Sequence, residues 1–244
     1  MGENKLTAEV LAFAAIFSVL LLFFLYYFTA KKRILHDLLI KPLFPSGSAA
    51  ALEFVSFKLT GILFTGIVPF ILFVFIFRTE PTRMGFVTGR MCHFWYLLIL
   101  LMLVTSLLSF NLSKGRSVQE RSPELKIIDW FPRHIILSVS AWVIYILGYE
   151  FLFRGILWFQ CYEAFGFWPA LVINLVLYFL VHLPQGKFMA AGALPVGIVL
   201  CLLSWLTGSF LPAFLIHSLI AVLTDLFSLY HNPEVRLHLS EKSK

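Results

Sequence analysis

The chain has 244 residues, of which 60% are hydrophobic and only 13% charged, and 27 of them are phenylalanine. That composition excludes a soluble globular domain, a disordered chain and a disulfide scaffold, and leaves an all-α fold, a polytopic membrane helix bundle. The net charge of +6 does not point to nucleic acid, because the Lys and Arg residues are scattered between apolar runs rather than gathered in one patch.

In chain order, Val10 to Ala30 is the first uncharged run long enough to cross a bilayer, and it ends at Lys31-Lys32-Arg33. It is too long for a signal-peptide core and no small-residue cleavage site precedes the basic stop, so it is read as a retained helix. Leu59–Phe77 and about Phe94–Ser113 are the second and third spans. Ile135–Tyr149 begins the fourth, whose apolar run Glu150 and Arg154 interrupt. About Phe165–Val181, Phe188–Thr207 and Leu211–Tyr230 complete a count of seven, with an eighth conceivable over 38–56. Residues 1–133 are expected to form an N-terminal set of helices and basic loops, 134–230 a catalytic-type bundle and 231–244 a polar tail.

With seven spans, fourteen Lys and Arg residues, Lys58 and Lys187 among them, fall on one side and four on the other. This places the N-terminus outside and the C-terminus inside. The expected location is an integral multi-pass one, in the plasma membrane of a bacterium. Cys92, Cys161 and Cys201 lie in or beside apolar runs without CxxC spacing and are read as buried thiols.

Charged or ionisable groups inside spans are costly, by roughly 2.5–3.5 kcal/mol for a charge on insertion scales, and are functional candidates by default. Glu150, Arg154, His182, His217 and Asp225 qualify, whereas Glu9 and Glu53 sit near span ends and can stay solvated. Glu150 and Arg154 are four residues apart, on one helix face, so an ion pair is expected. It serves equally as a structural pair or as a held carboxylate. His182 ends the fifth span just before Leu183-Pro184, a position suited to an interfacial histidine. His217 sits mid-span among Phe214, Leu215, Ile216 and Leu219, where a neutral imidazole still needs partners for both nitrogens. Asp225, two turns on, is read as more structural than catalytic.

Tyr149-Glu-Phe-Leu-Phe-Arg-Gly155 resembles the Glu-Glu-x-x-x-Arg motif of the CPBP (Abi, CAAX-protease-like) intramembrane protease family. Phe165-Gly-Phe-Trp-Pro-Ala170 is similar to the turn that follows it there. Tyr178-x-x-x-His182 resembles the family's Phe-x-x-x-His, and the approach from Thr207 to His217 resembles that to its His-x-x-x-Asn. The resemblance covers about residues 138–225, and its strength is three motifs in the right order rather than any one of them.

The resemblance implies hydrolysis of a peptide bond of a membrane-associated protein or peptide inside the bilayer. Glu150 would activate water, Arg154 would orient it, and His182 and His217 would hold the water and the oxyanion. Two positions depart from the pattern: Tyr149 stands where the first Glu is expected, and Ala221 where the Asn is expected. A phenol with a pKa near 10 is a poor base at neutral pH. Glu, His and His are a permissible zinc set, but there is no His-Glu-x-x-His and the three come from separate helices, so neither a metal nor a cofactor is expected. An active endopeptidase and a catalytically inactive family member that regulates or binds a membrane protein are the two leading readings. A proton or ion pathway ranks third and is weakened by the lack of internal repeats. A purely structural membrane protein comes last.

Overall fold

A computed structural model describes residues 2–44 and 47–238, with the side chains of 2–6 left out. Residues 239–244 of the expected polar tail lie outside the described residues. Among the described residues, seven helices are long and apolar enough to cross a membrane. They are α1 (Gly2–Lys31), α2 (Ala49–Ile76), α3 (Trp95–Leu112), α4 (Pro132–Phe165), α5 (Phe167–Gln185), α6 (Lys187–Thr207) and α7 (Leu211–His231). Their outward faces carry Phe13, Phe24, Leu103, Leu107, Trp168 and Val172, exposed side chains of the kind lipid covers.

Helix boundaries differ from the sequence reading in two instructive places. Helix α2 begins ten residues early, at Ala49, so Lys58 is not a loop charge but a helical residue with 3% of its surface exposed. Helix α4 does not break at Glu150. It continues to Phe165 by widening to a π-helical stretch, Phe151–Leu157, all of whose residues are buried. Such widenings insert a residue without losing the hydrogen-bond ladder and are common at functional sites. The turn after α4 is Gly166, whose φ of +81° suits a residue without a Cβ. Cys161 and Cys201 are buried, but Cys92 is exposed in the short 3₁₀ turn Met91–His93, contrary to the expectation for it, because the apolar run begins only at Phe94.

The described residues group into two compact units. One comprises Met1–Phe28, Gly61–Trp95 and Leu147–Leu215. In it α2 and α4 meet through glycines: a Cβ on Gly66 would lie 3.1 Å from the Gly148 Cα, so two backbones approach as only small residues permit. An aromatic cluster follows directly, with Phe23 edge-on to Tyr149 at 5.4 Å and Tyr149 stacked on Phe153 at 5.0 Å. The Tyr27 hydroxyl donates to the Val181 carbonyl at 3.1 Å and ties α1 to α5 one residue before His182.

The other unit comprises Thr29–Thr60, Tyr96–Ile146 and Ile216–Lys244. Its core gathers Phe54, Leu125, Trp130 and Leu229. A short parallel ladder pairs β1 (Asp129–Trp130) with β2 (Arg236–Leu237), and His238 Nε2 meets the Asp129 carboxylate at 2.8 Å. That hydrogen bond holds the Asp129 carboxyl below the usual carboxylate range. Burial pushes the Lys126 ammonium down.

Candidate active site

Glu150 and Arg154 are both completely buried, and Arg154 Nη1 donates to Glu150 Oε1 at 3.3 Å. The i, i+4 pair expected from the sequence is therefore present, at the point where α4 passes from α-helix into its π-helical stretch. The guanidinium lies over the Tyr178 ring, 4.1 Å from its centroid, which supplies cation–π attraction to a charge with no exposed surface. Gly197 of α6 lets that helix come close to α5, since a Cβ there would sit 2.9 Å from the Leu175 side chain and 3.1 Å from the Tyr178 ring on which Arg154 lies.

His182 is half-buried at the end of the α-helical part of α5. Its Nδ1 lies 2.7 Å from the Tyr178 carbonyl oxygen. A carbonyl only accepts, so Nδ1 carries the proton and, in the neutral ring, Nε2 carries the lone pair. The Tyr149 hydroxyl stands 3.5 Å from the same Nδ1, and the Tyr178 and His182 rings are 4.5 Å apart. A continuous set of contacts thus runs from Glu150 through Arg154 and Tyr178 to His182, with Tyr149 beside it.

Within the first unit Glu150, Arg154 and His182 share one neighbourhood. His217 is half-buried on α7. Asp225, on the same helix, is a structural acceptor: Trp142 Nε1 donates to it at 2.8 Å, Ser138 Oγ at 3.4 Å and the Glu124 backbone N–H at 3.3 Å. Lys58 belongs to that group, 2.6 Å from Glu124 and 3.1 Å from the centroid of the Trp142 ring, inside a ring of Phe54, Phe57 and Tyr145. Among the described residues no three His, Cys, Asp or Glu side chains are grouped as a metal site would need.

Sequence reasoning passed over Asn174. It is fully buried on α5 and donates through Nδ2 to the Phe153 carbonyl at 2.8 Å, inside the π-helical stretch, while Cys201 Sγ contacts its Oδ1 at 3.3 Å. The Trp158 backbone N–H donates to the same Phe153 carbonyl, five residues back. The signal was there: an amide amid Leu171, Val172, Ile173 and Leu175 must find a partner within the bundle.

The fold and this arrangement define a class, a multi-pass helical membrane protein with a buried Glu–Arg pair next to a histidine. Residues 131–223 match the family model described as type II CAAX prenyl endopeptidase Rce1-like. The matched stretch takes in all four proposed residues and agrees with the CPBP resemblance carried by the motifs. No curated protein and no solved structure matches the chain.

Proposed function

We propose that the protein is an intramembrane endopeptidase that hydrolyses a peptide bond of a membrane-associated protein or peptide, with Glu150 as the water-activating carboxylate. The supporting observation is the buried set of contacts from Glu150 to His182 inside the stretch that matches the Rce1-like family. Arg154 donates to Glu150 and fixes the direction of its carboxyl group. His182, with its proton on Nδ1, presents an acceptor at Nε2 and holds the attacking water. It becomes an oxyanion donor only after gaining a proton. His217 is the second imidazole of the site and the bundle over 134–230 its scaffold. Ala221 removes one donor, worth about 10²–10³ in rate where such a donor is well placed, which lowers turnover without abolishing it.

A second reading has its own support. The Tyr149 phenol stands 3.5 Å from His182 Nδ1, and Glu150 has no exposed surface. In that reading the pair is structural and the protein binds a membrane protein without cutting it. Purified wild-type and Glu150→Gln proteins in proteoliposomes with a membrane-protein extract separate the two. New peptide termini that require Glu150 support the enzyme, and identical termini support the binder.

A further inference from the structure

The end of α1 and the start of α2 build a small charged pocket that plays no part in the hydrolytic reading. It has a volume of about 70 Å³ and is lined by Thr29, Arg33, His36, Glu53, Ser56 and Thr60. Helix α1 ends its apolar run at Lys31, and Glu53 is in the second turn of α2, so both walls of the pocket are span ends. Span ends lie at the depth of lipid headgroups.

Arg33 is held with unusual care for a residue that is half exposed. Its backbone adopts a φ of +54°, a left-handed conformation that side chains other than glycine rarely take. Its Nη2 is 3.0 Å from Nε2 of His36, a residue with 5% exposure. A guanidinium only donates, so His36 Nε2 accepts and its Nδ1 donates to Ser56 Oγ at 3.1 Å. The Ser56 hydroxyl in turn donates to the Leu52 carbonyl at 2.5 Å. This polarity is wrong for a Ser–His nucleophile, because the serine proton is directed away from the imidazole. It suits a bracket that aims Arg33. Asp37 lies 3.9 Å from the same His36 nitrogen, and Glu53 Oε1 lies 3.7 Å from Arg33 Nη1, too far for a hydrogen bond. Among the described residues these contacts engage at most two of the five guanidinium N–H groups.

We propose that this pocket binds the headgroup of an aminophospholipid, with the phosphate on Arg33 and the primary ammonium on Glu53. The pocket presents one cation and one anion side by side, which matches a phosphate joined to an ammonium by two carbons. The planar guanidinium grips phosphate through paired N–H bonds. A primary ammonium donates to the Glu53 carboxylate, whereas a quaternary one has no proton to give. The carboxylate also disfavours a headgroup that is only anionic. The inference is independent of the hydrolytic reading.

Native mass spectrometry of delipidated full-length protein, titrated with phosphatidylethanolamine, phosphatidylcholine, phosphatidylglycerol or inorganic phosphate, tests it. Wild type should retain phosphatidylethanolamine at about 10-fold lower concentration than phosphatidylcholine, the scale of one charge-assisted hydrogen bond. Arg33→Gln should weaken both about 10-fold, and Arg33→Lys, which keeps the charge but not the paired N–H bonds, should weaken both by less. Glu53→Gln should leave phosphatidylcholine unchanged and erase the preference. Equal retention of the two lipids by wild type, an unaltered Arg33→Gln protein, or tightest binding of phosphatidylglycerol would overturn the proposal. So would efficient displacement of the lipid by inorganic phosphate, which would make this a site for the soluble anion.

Discussion

Replacing Arg154 by Met removes a guanidinium while keeping much of its length and volume. Two interactions disappear with it, the 3.3 Å bond to Glu150 and the 4.1 Å stacking on Tyr178. Both partners of the ion pair have no exposed surface, so the carboxylate left behind cannot be rescued by solvent. Removing one partner of such a pair costs about 3–5 kcal/mol. At 2–4 °C per kcal/mol for a chain of this size, the melting temperature should fall by about 10 °C. Because the loss comes from the stranded charge, neutralising that charge should restore part of it. The Glu150→Gln, Arg154→Met double variant should be more stable than the two single losses predict, by about 2 kcal/mol. Thermal unfolding of the four proteins in one detergent reads the cycle. An Arg154→Met protein that melts with wild type, or strictly additive variants, would refute a buried, energetically coupled pair.

Further outcomes follow from other contacts. Gly148→Leu should destabilise by about 1–3 kcal/mol and disturb the site one residue away, because its side chain would enter the contact with Gly66; thermal unfolding with the reverse probe Gly66→Leu checks this. Lys58→Met should lower the melting temperature and speed trypsin cleavage at Arg121, since it leaves Glu124 and Asp225 without the ammonium they share and the cation–π contribution of about 2 kcal/mol is lost with it. The Asp129 carboxyl is held below its ordinary value, so its contribution to the β1–β2 pairing is complete above the unfolded carboxylate range and fades as pH falls through the lower folded value. Hydrogen-exchange protection of the Arg236 and His238 amides should therefore drop in acid, and Asp129→Asn should remove that dependence. Ala221→Asn, one turn after His217, should raise peptide-bond turnover roughly 10–100-fold if the site hydrolyses.

The spans were legible because uncharged runs of about twenty residues have few other uses, and the Glu150–Arg154 pair because helical spacing brings i and i+4 together. What happens to the helix there was not legible. A charged pair reads as an interruption in an apolar run, whereas the backbone absorbs it by widening, with Asn174 bonding the Phe153 carbonyl. Lys58 was misplaced for a related reason. A lone lysine beside an apolar run looks like a loop charge, and only the tertiary fold supplies the rings of Trp142 and Tyr145 and the Glu124 carboxylate that let it be buried. Tyr178 was noticed as a motif substitution, but its role as the bridge between Arg154 and His182 depends on α4 facing α5, which no spacing along the chain encodes. Cys92 illustrates the limit of reading burial from neighbours: two residues before an apolar run it is still on the surface.

The central claim is that Glu150 activates water for peptide-bond hydrolysis. Its most direct test is a comparison of peptide termini generated in proteoliposomes by wild type and by Glu150→Gln of matched melting temperature, in the presence of the same membrane-protein extract. Glutamine keeps the shape and the bond from Arg154 but cannot take a proton from water at neutral pH. The account predicts new termini with wild type and their loss with Glu150→Gln. The same termini from both proteins, or none from wild type, would contradict it.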